Sequence, residues 1–484
     1  MLFPSEEFLF AFLPVVLIIY FGLLRRNVVL KNIWLLVASL AFYAFGEPKY
    51  VILMIAVILI NYAMGLFVDG SKNDKLRKAL LLMTVIINVG ILGWFKYAGF
   101  IVSEVNRLGK TNVVLPMEIV LPIGISFFTF QAMSYVFDVY SGKATAEKNP
   151  LYVGLYVSLF PQLIAGPIVR YTTVARQMRE REESIDLFSE GVTRFLKGLI
   201  KKVIIANNMA VVADAVWGLI IGDRLEASVA LAWLGALSYT LQIFFDFSGY
   251  SDMAIGLGRM FGFKFEENFN YPYIAGSVTD FWRRWHISLS AWFRDYVYIP
   301  LGGSRKGKGR TIINLFAVWL LTGIWHGANW TFMVWGLMYF VVLTIEKLTG
   351  VKVPNSKLQG AKAVTVGVAG HIYTLLIVMF GWVIFRSESI SDAIVYIKGM
   401  FGAGSGYFID SAAVAYVKQN IIYYVLALVG CIPFSKVVAD KLPKKGIAGI
   451  IYNAAYIAVF GMAVLIAISF IVNKAYNPFI YFNF

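Results

Sequence analysis

Apolar residues run through the chain in long blocks broken by short polar or basic stretches. Candidate membrane spans fall at 8–23, 32–46, 49–68, 79–98, 119–140, 203–221, 227–247, 311–328, 331–347, 364–385, 419–434 and 447–472. Several are shorter than the roughly 20 residues that a perpendicular spanning helix needs. No polar block of soluble-domain size interrupts them, which predicts a single all-α integral-membrane domain over 1–484. Within it lie N-terminal spans (8–140), a re-entrant and basic stretch (151–202), a core (203–347) and C-terminal spans (364–484). The first block, "FLFAFLPVVLIIYFGLL", has no basic region ahead of it and no small-residue cleavage site behind it. That predicts a retained span, not a signal peptide.

The basic breaks set an orientation. Arg25, Arg26 and Lys31 follow the first span, which places the N-terminus outside. "DGSKNDKLRKA" and "YSGKATAEKN" are then cytoplasmic, and the Gly and Lys residues around 302–310 and 436–445 fall on the same side. "LYVGLYVSLFPQLIAGPIVRY" is apolar enough to cross, but crossing would put Arg170, Arg176, Arg179, Arg181, Lys197, Lys201 and Lys202 outside. Pro161, Gly166 and Pro167 also damage a continuous helix, so a re-entrant segment with both ends cytoplasmic is expected. Irregular backbone at membrane depth survives only where it is buried in protein or lines a wet cavity, which places a cavity near Pro161–Pro167. Residues 174–202 read as a basic amphipathic helix on the cytoplasmic surface, and 388–415 as an amphipathic piece with a glycine-rich turn.

The stretch "WRRWHISLSAWFRDYVYIPLGGSR", from Trp282 to Arg305, has a different pattern. On a helical wheel Trp282, Trp285, Leu289, Trp292, Phe293 and Tyr296 share a sector of roughly 100–120°, the width of a buried face. Arg283, Ser290 and Arg294 lie beyond one edge, and His286 sits on the seam; Ile287 does not fit. One amphipathic helix, ended by Pro300, is the prediction. Tryptophan and arginine are also ordinary interface anchors, which accounts for everything in the pattern except the histidine. "GGSRKGKGR" follows as a topology signal that can also attract a phosphate-rich ligand.

Composition narrows the choice. The chain has 484 residues, 59% of them hydrophobic and 15% charged, with a mean hydropathy of +0.71. The lipid bilayer is therefore its partner and solvent. A formal charge of +15 suits loops held at an anionic cytoplasmic leaflet, and nucleic acid is not expected. The single cysteine, Cys431, excludes an intrachain disulfide and a cysteine-rich metal site; in "YYVLALVGCIPF" it reads as a buried inert thiol.

Of three histidines, His326 is placed most tellingly, near the end of the apolar run "INLFAVWLLTGIWHGANW". An ionisable side chain at membrane depth is costly and marks a functional site by default. Gly327 and Ala328 leave room for a substrate beside it, and Asn329 offers an amide that orients or donates. The alternative is a histidine satisfied at a helix terminus near the interface. His371 opens the span "HIYTLLIVMFGWVIF" and reads as an interface residue. Two histidines suggest a general base, a metal pair or a proton relay. No carboxylate or cysteine sits at ligand spacing beside either, so no metal is expected. A neutral histidine suits a hydroxyl attacking an acyl group near neutral pH. Ser126, Ser248 and Ser290 lie in no strand–turn–helix elbow, which weakens a serine-hydrolase reading.

"FFDFSGYSDMAIGLGRMFGFKFEENFNYPYIAGSVTDFWRRWHISLSAWFRDYVYIPLGG", together with "WLLTGIWHGANWTFMVWG", resembles the membrane-bound O-acyltransferases. "LPIGISFFTFQAMSYVFDVYSG", "FPQLIAGPIVR" and "FGWVIFRS" are similar to the bacterial branch typified by the membrane component of alginate O-acetylation. The resemblance implies about 11–12 spans, with re-entrant and amphipathic helices, around a central tunnel. It makes 203–347 the catalytic core, the "WHG" histidine, His326, catalytic, and His286 the second catalytic position. Asn329, Trp325, Trp285, Arg283, Ser290 and Arg294 would bind substrate or support the pair. It implies acyl transfer from a cytoplasmic thioester, acetyl-CoA or an acyl-carrier thioester, as donor substrate, with no bound cofactor. It also implies a place in a bacterial cytoplasmic membrane, and an extracytoplasmic acetyltransferase partner from a polysaccharide-modification system. A sister branch that moves D-alanine shares "DFWRRWHISLSAWFRDYV", but "YIPLGGSRKGKGR" is more similar to the alginate type, which favours acetyl. A lipid or protein acyltransferase of the same fold is the nearer rival. A transporter would also be polytopic, with polar groups such as Asp246 at depth, but duplicated halves are absent from the sequence.

Overall fold

Asparagines start the first long helices. Helix α1 (Glu7–Leu23) is followed by α2 (Val28–Gly46), where the Asn27 side chain accepts the Val29 and Leu30 amides at 3.0 and 3.1 Å. Helix α3 (Tyr50–Gly70) precedes α4 (Asp74–Gly109), capped by Asn73. After α5 (Ile125–Tyr140), Asn149 caps α6 (Pro150–Ser158), whose first residue is a proline that has no amide to satisfy. These caps occupy amides that a helix start would otherwise leave bare. The computed structural model describes residues 1–115, 119–222, 227–350, 360–403, 407–434, 438 and 446–474. Among the described residues it is helical, without strands.

The chain divides into two compact units, Met1–Phe195 with Tyr250–Glu267, and Leu196–Gly249 with Asn268–Phe484. In the first, Asn61 of α3 and Asn88 of α4 exchange amide hydrogen bonds of 2.9 and 3.0 Å while fully buried. The segment after α5 is broken as expected: α6 stops at Ser158, α7 (Phe160–Leu163) is a single turn, and 167–170 have no regular secondary structure. Residues 161–167 are buried throughout, and they do not line the cavity described below.

Residues 174–202 differ from expectation. They form turns until Ile185, where α8 begins and runs on through a π-helical stretch to Gly222. The reading as a surface helix followed by a separate span is therefore corrected to one continuous helix. Its basic residues meet acids: Arg194 pairs with Asp252 at 2.6 Å in the first unit, and Lys202 with Asp246 at 2.6 Å in the second. A paired charge can be buried where a lone one cannot, and both members of the second pair are only 2% exposed.

The second unit continues with α9 (Val229–Met260), whose last turns from Tyr250 belong to the first, then α10 (Val278–Arg284) and α11 (Ile287–Phe293), extended by a π-helical turn to Tyr298. It closes with α12 (Gly307–His326), α13 (Trp330–Thr349), α14 (Gly360–Arg386), α15 (Ile390–Met400), α16 (Ser411–Gly430) and α17 (Gly446–Val472). Part of the glycine-rich turn, 404–406, and most of the basic loop at 436–445 lie outside the described residues. Among the described residues nine helices are long and apolar enough to cross a membrane. The other three predicted spans are helices as well: α1 and α5 are short, and α12 starts with Lys308 and Arg310 in its first turn. Cys431 is buried just past α16.

Candidate active site

The tryptophan–arginine stretch is two helices joined at a corner. Ser277 Oγ accepts the Asp280 amide at 3.1 Å at the start of α10. Glu346, a buried carboxylate from α13, accepts the Val278 and Thr279 amides at 2.8 Å each and the Thr279 hydroxyl at 2.6 Å. Helix α10 stops at Arg284; Trp285 is extended, and His286 adopts the left-handed conformation at φ 46°, ψ 54°. Helix α11 then begins, and the chain turns out of it at Pro300. The continuous helix expected through Trp282–Tyr296 is thus corrected to a break at Trp285–His286.

Asn268 holds the corner. Its backbone carbonyl accepts the Ile287 amide at 3.0 Å, and its side-chain Oδ1 accepts the Ser288 amide at 3.2 Å and the Ser288 hydroxyl at 2.9 Å. The first amides of α11 are therefore satisfied from another segment, and the chain can restart a helix in a new direction. A left-handed non-glycine residue costs on the order of 1–3 kcal/mol, so it persists only where the surroundings enforce it. Such residues gather at functional sites.

His286 is 2% exposed, with Nδ1 3.1 Å from Asn268 Oδ1 and its ring edge-on to Phe247 at 4.7 Å. Burial pushes this imidazole down to about 3, so it is neutral at physiological pH. His326 ends α12, where Gly327 takes an extended conformation. It is 7% exposed, in a box of aromatic rings whose centroids lie 4.9 Å (Trp325), 5.0 Å (Trp335) and 5.1 Å (Phe385) away. Helices α12 and α13 cross closely enough to need glycine. A methyl carbon on Gly323 would sit 2.5 Å from the Phe332 carbonyl oxygen, and one on Gly336 would strike the Trp319 carbonyl. The open space expected beside Gly327 is occupied: a side chain there would collide with the Phe332 ring.

Both histidines line one cavity of about 760 Å³. Of the residues singled out from the sequence, it also brings together Trp285, Arg283, Ser290 and Arg294. Trp325 is not in the lining but stands against both imidazoles, 6.3 Å from the His286 ring and 4.9 Å from that of His326. Asn329 is elsewhere. Its Oδ1 caps α13 through the Thr331 amide at 3.0 Å, and its Nδ2 donates to the Glu388 carbonyl at 2.6 Å. His371 is exposed on α14, its Nδ1 donating to the Ala275 carbonyl at 2.9 Å. The cavity walls carry four basic residues, Arg283, Arg284, Arg294 and Lys347, against two acids, Asp280 and Glu346. Asp280 is engaged by Arg284 at 3.0 Å and Glu346 by α10, while Arg283 is exposed with no ion-pair partner among the described residues.

Sequence reasoning missed Asn268, Ser288 and Glu346. Asn268 stands in "FEENFNYPY", where the only signal is a short amide between an acid and an aromatic residue ahead of a proline turn. Glu346 carries a better one, an acid inside an apolar run, because such a carboxylate must find donors.

Comparison with known proteins identifies the family. The profile of MBOAT, the membrane-bound O-acyltransferase family, matches residues 148–390. A probable alginate O-acetylase of Pseudomonas syringae pv. tomato is 46% identical over 84% of this chain and 76% of its own length. One from Pseudomonas putida is 40% identical over the whole of both chains. A peptidoglycan O-acetyltransferase of Helicobacter pylori is 36% identical over 83% of this chain and 80% of its own. The chain, a multi-pass membrane protein and an O-acyltransferase, belongs to the membrane-bound O-acyltransferase family.

Proposed function

We propose that this protein moves an acetyl group from a cytoplasmic thioester, acetyl-CoA or an acetylated carrier, across the membrane for O-acetylation of an extracellular polysaccharide. The observation that carries the reading is that His286, at a helix corner, and His326, at a helix end, line one cavity with an excess of basic residues. His326 takes the proton of the acceptor hydroxyl as its oxygen attacks the thioester carbonyl. The tetrahedral intermediate collapses, the carbon–sulfur bond breaks, and the imidazolium returns the proton to the leaving thiolate, giving an ester and a free thiol. A helix C-terminus favours a positive charge, which suits the imidazolium formed on His326 at the end of α12. His286 stays neutral and hydrogen-bonds the acceptor.

Arg283 and Arg294 line the cavity and draw an anionic donor toward it; phosphate groups of coenzyme A or of a carrier's prosthetic arm have the required charge. Ser290 and Trp285 line the same cavity. Trp325 keeps the two imidazoles in register, and Asn329 fixes the His326 end of α12 by capping the next helix. The relatives named above act on glycans by their names, which supports a polysaccharide acceptor. The setting is a bacterial cytoplasmic membrane with the N-terminus outside, and an extracytoplasmic partner receives the acetyl group.

The test is transfer of radiolabelled acetyl from acetyl-CoA, and separately from an acetylated carrier protein, by purified protein in detergent. Label passing to a hydroxyl acceptor, and lost in His326→Ala at unchanged folding, supports the reading. Transfer untouched by that substitution removes His326 from the mechanism.

A further inference from the structure

The corner at His286 fixes more than the backbone. Three donors converge on a single atom, Asn268 Oδ1: the Ser288 amide at 3.2 Å, the Ser288 hydroxyl at 2.9 Å and His286 Nδ1 at 3.1 Å. Whether an asparagine presents oxygen or nitrogen is usually a matter of assignment. Here the Ser288 backbone amide settles it, because an N–H can only donate and the atom it meets must be the carbonyl oxygen. That oxygen can only accept. The neutral imidazole has one N–H, so the hydrogen lies on Nδ1 and Nε2 keeps its lone pair. Nε2 is buried and has no hydrogen-bond partner among the described residues, while the residue lines the cavity. A buried polar atom without a partner is rare and costly, on the order of 1–3 kcal/mol, a cost that a ligand's donor would relieve.

We propose that Asn268 is a positioning residue for the acyl transfer: it locks His286 as the Nδ1–H tautomer and directs its Nε2 lone pair into the cavity to accept a hydrogen bond from a second hydroxyl of the acceptor, beside the one that His326 deprotonates. The assignment of the hydroxyl rests on the function proposed above; the tautomer does not. Ser288 braces the same oxygen, so that Asn268 cannot flip without losing the hydrogen bond from the Ser288 amide. With the opposite tautomer, Nε2 would itself be a donor and could not accept from that second hydroxyl.

With only three histidines in the chain, the ring nitrogens can be followed one by one. Nitrogen-15 NMR on histidine-labelled full-length protein, with His326→Gln and His371→Gln for assignment, reports which nitrogen of His286 carries hydrogen. The expected result is Nδ1–H in the wild type and in Ser288→Ala, and loss of that preference in Asn268→Leu. Asn268→Asp, which keeps an acceptor oxygen at the same place, restores it. Acetyl transfer should follow: kcat falls on the order of tenfold or more in Asn268→Leu with donor KM little changed, and Asn268→Asp recovers part of it. Nε2–H on His286 in the wild type overturns the proposal, even if Asn268→Leu does not fold. So does an Asn268→Leu variant that folds and keeps both the Nδ1–H signal and the wild-type kcat. Correct tautomers throughout, with no acetyl transfer from any variant, would overturn the reading of the reaction and leave the lock in place.

Discussion

His326 closes a twenty-residue helix, whereas His286 occupies a corner between two helices of seven residues each. The first is positioned by backbone packing, since α12 and α13 approach so closely that Gly323 and Gly336 leave no room for a methyl group. The second is positioned by hydrogen bonds converging on Asn268. The helix ends differ in sign as well. A helix C-terminus favours an imidazolium, and the start of a helical run disfavours one. One imidazole is thus suited to gaining a proton and the other to remaining neutral, so two copies of one residue type can hold two roles in one cavity.

Substitutions at the two positions break this comparison most strongly. His326→Ala should lower kcat by roughly 10²–10⁴, the usual worth of a general base, without change in elution or thermal midpoint. His286→Ala should lower it by an equal or smaller factor. Packing comes next. Gly323→Ala places a carbon 2.5 Å from a backbone oxygen that cannot turn aside, and overpacking of this kind costs about 1–3 kcal/mol. A lower thermal midpoint, with activity falling in parallel, is the outcome to look for; an unchanged midpoint means the crossing is looser than described.

Arg283→Ala is a milder change. Removing an exposed charge is worth about 0.2–1 kcal/mol, so donor KM should rise by up to about fivefold at low salt, with kcat nearly constant. Added salt should shrink the difference between variant and wild type, because exposed charges are screened.

The smallest effect is on stability against pH. The His286 value in the folded protein, about 3, lies below the ordinary 6.5, so the unfolded chain takes up this proton first as the pH falls. The stability linked to His286 is complete above about pH 6.5 and is lost toward pH 3. The thermal midpoint in detergent should fall from pH 7.5 to 5.5, and fall less in His286→Gln. An equal fall in both would mean that His286 is not the buried neutral group.

The same contrast explains what could be read from the sequence. His326 was legible because an ionisable residue inside an apolar run is conspicuous, and the ends of α12 and α13 follow from Gly327 and the capping Asn329. The corner at His286 was not. The aromatic face of Trp282, Trp285, Leu289 and Trp292 continues across it on a helical wheel, and the amide that turns the chain lies 18 residues upstream. Helix α8 was misread for a related reason. Lys197, Lys201 and Lys202 look like a solvated face until Asp246 is seen to take Lys202. Periodicity reports which face is apolar; it does not report a distant partner that makes a polar residue affordable inside.

The most direct test of one site with two cooperating histidines is a double-mutant cycle on single-turnover acetyl transfer. Rates would be compared for the wild type, His326→Gln, His286→Gln and the double variant, all at saturating labelled donor. Groups acting on one transition state are strongly non-additive, so the double variant should be about as slow as the slower single one. Losses that simply multiply, or a His326→Gln variant at the wild-type rate, would contradict a shared site.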